Sequence, residues 1–222
     1  MSAPKQVKNW EELINDGENY GDTQGNYSPM EKVIFESIKD KILLKIQDSF
    51  AFSKFGHEKG SDHGQELARL VANFEPLKEI TRLIITHNGL GPEGVQILSD
   101  SKTLPQVDVL HLGSNYIGDE GVEILVNSEL FSKVTNLNLE CNGITAEGAK
   151  ALANSTMMTQ LTSLSLVDNR IGEEGALAIS NSDTLANLTY LHLGGNRIKS
   201  ETAKAALRES KKLTKLETLK VF

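Results

Sequence analysis

Residues 161–180 read LTSLSLVDNRIGEEGALAIS. Leu164 and Leu166 alternate with Ser163, Ser165 and Val167. A period of two over so few residues predicts a short strand, packed on one face and open on the other. Asn169 closes the strand, and Ile171, two places on, returns the chain to the interior. From Gly175 the chain runs into an Ala- and Leu-rich segment with apolar residues three to four apart, which predicts a helix. The same unit stands on either side, in step. Asn88, Asn115, Asn142, Asn169 and Asn196 are 27 residues apart, each preceded by a leucine-like pair (Leu83/Ile85, Leu110/Leu112, Leu137/Leu139, Leu164/Leu166, Leu191/Leu193). Leu90, Ile117, Ile144, Ile171 and Ile198 make the return. A fixed period of this size marks a stack of like units. The expected architecture is α/β: a solenoid forming a horseshoe segment, with a parallel sheet inside and helices outside. In such a stack each Asn amide sits in a tight bend, pairs with backbone groups that lack a ladder partner, and lines up with its neighbours as a ladder. Glu93, Glu120, Glu147 and Glu174 precede the glycines that open the helical halves, where a carboxylate favours the positive helix end.

These phrases resemble the ribonuclease-inhibitor type of leucine-rich repeat, whose signature is LxxLxLxxN followed by a turn, a glycine and a full helix. The resemblance runs over residues 77–222. It implies a recognition surface rather than a chemistry, because this repeat serves inhibitors, innate-immune sensors, GTPase activators and secreted bacterial effectors alike. The ribonuclease inhibitor itself does not fit, since its family is cysteine-rich and this chain has Cys141 alone.

Outside the repeats the chain divides in two. Residues 1–27 are polar and read as a flexible N-terminus, with Trp10, Leu13 and Ile14 hinting at a docking turn. Residues 28–76 read as a helical cap and a degenerate first repeat. Ser28-Pro29-Met30-Glu31 is a helix start, and Ile34, Ile38, Ile42 and Ile46 recur every four residues, predicting an amphipathic helix to about residue 48. Phe50 and Phe52 then alternate as in a strand, and Leu67, Leu70, Val71 and Phe74 share a helical face. Such a cap covers the open end of a solenoid.

Composition narrows the classes. A formal charge of −7 argues against nonspecific nucleic-acid binding. The opening MSAPKQVKNWEELIND has no apolar core, so neither a secretory signal nor a membrane span is expected. A single cysteine suits a reducing compartment, so a cytoplasmic location is expected, the host cytoplasm if the chain is a secreted effector. No cofactor and no metal are expected. Gly89, Gly91 and Gly94 spell GxGxxG with Asp108 downstream, but the phase of the repeat already accounts for them. His57, Glu58, Asp62 and His63 lie in a polar loop whose spacing matches no metal-ligand pattern.

The informative residues are those the repeat leaves free. One row of open positions reads Arg82, Val109, Asn136, Ser163, Tyr190; a second reads Ile84, His111, Asn138, Ser165, His192; a third reads Thr86, Gly113, Glu140, Val167, Gly194. A protein partner is therefore expected on the concave face, touching Arg82, Ile84, Val109, His111, Asn136, Asn138, Glu140, Val167, Tyr190 and His192. Arg170 and Arg197 hold the same place in adjacent units and suggest an acidic partner at the rim. The last turn, KLTKLETLKVF, starts a sixth strand bearing Lys220, and from Arg197 onward eight basic residues face three acidic ones. An open edge there offers self-association. No nucleophile with a base and no paired-carboxylate site is evident, so the chain reads as an adaptor, not an enzyme. The rival readings are a regulator of a small GTPase, with Arg82, Arg170 and Arg197 as candidate residues, and a bacterial effector that recognises a host protein.

Overall fold

The computed structural model of the chain describes residues 38–39, 43–47, 63–74 and 77–222. One sheet takes all its strands in chain order. These are β1 (Ile38–Lys39), β2 (Leu43–Gln47), β3 (Arg82–Thr86), β4 (Val109–His111), β5 (Asn136–Asn138), β6 (Ser163–Ser165), β7 (Tyr190–His192) and β8 (Thr218–Lys220). β1 pairs antiparallel with β2, and every later pairing is parallel. Helices α1 (His63–Asn73), α2 (Gly91–Ser99), α3 (Gly118–Val126), α4 (Ala146–Asn154), α5 (Gly172–Ser180) and α6 (Glu201–Arg208) alternate with the strands, each packed on the next. That is the solenoid expected from the repeat.

The core is the set of residues that recur. The leucine-like pair of each repeat from Leu83/Ile85 to Leu191/Leu193, the returns Leu90, Ile117, Ile144, Ile171 and Ile198, and helix residues such as Val95, Leu98, Val122, Leu125, Leu152 and Ile179 are buried in one cluster. The helices start three residues earlier than Gly121 and Gly175, so those glycines lie in the first turn. A Cβ at Gly94, Gly121, Gly148 or Gly175 would run into the apolar return residue of its own repeat. The glycine row is thus a close approach of helix to strand. Carboxylates sit in the first turn of α2 to α6, and Asp119 caps across repeats by accepting from the Thr145 and Gly148 N–H groups at 2.8 and 2.9 Å.

The asparagine ladder forms as expected. From Asn115 onward each amide serves its own bend and the repeat before it, whereas Asn88 bonds only within its own bend, to the Thr86 carbonyl. Asn142 Oδ1 accepts from the Asn115 N–H at 2.9 Å and from Ile117 at 3.3 Å. Its Nδ2 donates to the carbonyls of Leu112 at 2.9 Å and Glu140 at 3.0 Å. Asn115 and Asn169 repeat this pattern, and Asn196 closes it.

The helix expected to run to about residue 48 is corrected at Ile38–Lys39 and at Leu43–Gln47, which are strands paired with each other. Leu44 stands opposite Leu83 and Ile46 opposite Ile85, so LLKIQ is the strand of the first repeat. Its apolar residues fit both a period of four and a period of two, and the hydrogen bonds along β3 favour the second. The helix carrying Leu67, Leu70, Val71 and Phe74 is α1, with Leu67 and Val71 buried. The readings at residues 1–37 and at Phe50 and Phe52 lie outside the described residues.

Three substitutions, measured by urea denaturation, test which side chains hold the stack. Asn142→Ala is expected to cost about 2–4 kcal/mol, because it orphans buried backbone groups in two repeats. Asn88→Ala, whose Oδ1 has no partner, is expected to cost less. Leu164→Ala removes a fully buried side chain and is expected to cost about 2–5 kcal/mol.

Candidate functional site

Strand register places the free positions as the repeat implied. Arg82, Val109, Asn136, Ser163, Tyr190 and Thr218 form one cross-strand row, and Ile84, His111, Asn138, Ser165, His192 and Lys220 the next. Arg82, Asn136 and Lys220 are exposed; the others in these two rows are half-buried. The third row departs from expectation at its first end: Thr86 is 4% exposed, beside β2, and does not project.

The open face carries two side-chain clusters. In the first, His111 Nε2 lies 3.5 Å from Glu140 Oε1, and Asn138 Nδ2 donates to Glu140 Oε2 at 3.3 Å. The Glu140 N–H donates back to Asn138 Oδ1 at 2.9 Å. Gly113 lies beneath: a Cβ there would stand 2.8 Å from Glu140 Cγ and 3.1 Å from His111 Nε2. The pair His111–Gly113 recurs as His192–Gly194, and here the neighbour is Phe222, two residues past the end of β8. Tyr190 meets His192 edge to face at 6.3 Å, His192 meets Phe222 at 5.7 Å, and Lys220 Nζ stands 5.6 Å from the Tyr190 ring centroid. Phe222, 78% exposed, was not picked from the sequence. Its register was hidden because β8 follows β7 by 28 residues, not 27.

His192 holds its proton less readily than an ordinary histidine. Burial of the ring is the main cause and repulsion from Lys220 the second, with Glu140 and Asp168 acting the other way.

Arg170 and Arg197 do not lie on the sheet. They stand with Tyr116 on the turns that follow the strands, around a groove of about 600 Å³ also lined by Cys141, Asp168 and Gly195. Val167 sits half-buried between the sheet face and this rim. The GxGxxG residues are accounted for by geometry: Gly89 and Gly91 have φ of +63° and +62°, and Gly94 packs on Leu90. Among the described residues no group of three His, Cys, Asp or Glu side chains is placed to hold a metal, and no helix is long and apolar enough to cross a membrane. The Glu58 and Asp62 loop lies outside the described residues.

The "Leucine Rich repeat" family pattern matches residues 80–99, 107–126, 132–153, 158–180 and 184–205. The chain belongs to the leucine-rich repeat family. Similar solved structures include the tropomodulin C-terminal domain from Caenorhabditis elegans, at 16% identity over 66% of this chain and 90% of that one, with a TM-score of 0.49. The leiomodin-1 actin-binding site 2 is 24% identical over 59% of this chain and 76% of that one, with a TM-score of 0.41. No curated protein matches the sequence.

The depressed His192 pKa makes stability pH-dependent with a definite sign. The unfolded chain binds the proton at a higher pH than the folded one, so the leucine-rich repeat loses stability as pH falls through the ordinary histidine range, and this group contributes no slope above it. The difference in thermal stability between wild type and His192→Gln should change with pH in that window and become constant at higher pH. Titration of labelled histidine by NMR should show Lys220→Ala raising the His192 pKa.

Proposed function

We propose that this leucine-rich repeat chain is a protein-binding module that engages its partner through the open sheet face, at the end formed by β6, β7 and β8. The observation that carries the reading is the cluster of Tyr190, His192, Phe222 and Lys220, where two aromatic rings, an imidazole and an ammonium crowd one corner of the sheet. Aromatic residues anchored in this way supply contact area with little rotamer entropy left to lose, which is why they concentrate binding energy in interfaces. Ser163, Ser165, Asn136 and Asn138 flank the corner with adaptable hydrogen-bonding groups, and Ile84 and Val109 add a smaller apolar patch at the other end. The mechanism is recognition rather than catalysis. Self-association through β8, the last strand of the sheet, is a subsidiary proposal that oligomeric state in solution would test.

The regulator reading keeps Arg170 and Arg197 as its candidates, because they share one groove. A GTPase activator accelerates hydrolysis at substoichiometric amounts, whereas a binding module only saturates its partner.

Tyr190→Ala combined with His192→Ala is expected to weaken partner capture at least tenfold while leaving far-UV circular dichroism unchanged, since neither side chain belongs to the core. Affinity capture of wild type and variant, read by mass spectrometry, makes the comparison. Capture unchanged in the variant would move the site off this corner.

A further inference from the structure

The turn position just after each ladder asparagine is held by Gly89, Tyr116, Gly143, Arg170 and Arg197 in successive repeats. Gly89 and Gly143 have φ of +63° and +73°, the left-handed region that glycine enters freely. Tyr116 and Arg197 adopt the same conformation, at +58° and +59°, where a bulky side chain is disfavoured. The turn is therefore better served by glycine, and what the tyrosine and arginine add is a projecting side chain. Tyr116 is 80% exposed. Arg170 and Arg197 are exposed, and among the described residues neither belongs to an ion pair.

The three line one groove whose floor includes Gly143 and Gly195. A Cβ at Gly143 would meet nothing within 4 Å, so the floor is open between Tyr116 and the arginines. Asp168 is the carboxylate among the lining residues, against two guanidinium groups, so the groove is net positive within a chain of formal charge −7. Adjacent strands are about 4.8 Å apart, so the turns bearing Arg170 and Arg197 are one strand spacing apart and the turn bearing Tyr116 is two spacings, about 10 Å, from that of Arg170. An extended segment rising about 3.3 Å per residue spans that interval in three residues.

We propose that this rim groove docks an acidic protein segment, with carboxylates on Arg170 and Arg197 and an apolar residue about three places away on Tyr116. Guanidinium–carboxylate pairs supply the charge-assisted hydrogen bonds, and the planar arginine fork favours carboxylate geometry. Asp168 and the overall negative charge disfavour a polyanion such as nucleic acid. The inference rests on the protein-binding reading but concerns a surface separate from the Tyr190 corner.

The test is a random-peptide phage library panned on the full chain, with enriched peptides synthesised and titrated by fluorescence anisotropy at low and high salt. The probes are titrated against wild type, Arg170→Ala/Arg197→Ala, Tyr116→Gly and Tyr190→Ala/His192→Ala. The expected peptides are rich in Asp and Glu, bind more weakly at high salt, and lose about tenfold or more in affinity on the double-arginine variant. They lose affinity on Tyr116→Gly and keep it on the Tyr190/His192 variant. Tyr116→Gly should also raise Tm by about 2–4 °C through relief of the left-handed conformation. Neutral or basic peptides, binding retained on the arginine variant, or a lowered Tm for Tyr116→Gly overturns the proposal. Peptides lost only on the Tyr190/His192 variant overturn it while the protein-binding reading stands; no peptide enriched on any form counts against both.

Discussion

The amide of one asparagine per repeat is the constraint on which the rest of the molecule depends. A parallel strand that ends in a tight bend leaves backbone groups with no ladder partner, and leaving them buried and unpaired costs about 1–3 kcal/mol each. Asn115, Asn142, Asn169 and Asn196 remove that cost by reaching back to the preceding repeat as well as to their own bend. A side chain that bonds to its neighbour at one distance and one angle tolerates little change in repeat length, so the 27-residue spacing holds from Asn88 to Asn196. The register follows, and with it the straight rows of side chains across the open face. The same bend forces left-handed backbone at Ser114, Cys141 and Asp168, just before the asparagines, and so shapes the rim groove.

A second ladder lies toward the helices. Ser101, Ser155, Ser182 and Ser210 each donate from Oγ to a carbonyl near the end of the preceding repeat's helix, namely Ala72, Val126, Ala153 and Ser180. The same oxygens accept from backbone N–H groups two or three residues on, for instance Leu104, Met158 and Leu213. Two side-chain rows, one at each end of the helical half, thus tie successive repeats together, with a gap in the serine row at Ser128, whose buried hydroxyl has no partner. Ion pairs such as Lys150 with Glu147 and Glu174 are exposed and add little by comparison.

Most of this was legible in the sequence because a repeat states each rule several times. The leucine alternation, the asparagine bend and the return residue needed no propensity argument. What escaped did so for identifiable reasons. LLKIQ at residues 43–47 carries apolar residues compatible with either period, and only pairing with β3 decides between them. The serine row repeats every 27 residues from Ser101 to Ser182 but looks like ordinary loop composition unless its spacing is measured. Phe222 fell outside the rows through one extra residue between β7 and β8. Tyr116 shares the turn position of Arg170 and Arg197 but carries no charge to mark it, and its significance comes from a backbone angle that the sequence does not display.

Residues that hold the stack are distinct from residues that the stack only presents. Tyr190 and Phe222 belong to the second kind on the sheet face, and Leu177, 40% exposed on α5, marks the opposite, helical side. Hydroxyl-radical footprinting of the chain alone and bound to its captured partner separates these surfaces in one experiment. The account predicts reduced labelling at Tyr190 and Phe222 with Leu177 unchanged. Protection at Leu177 with Tyr190 and Phe222 still fully labelled would contradict it.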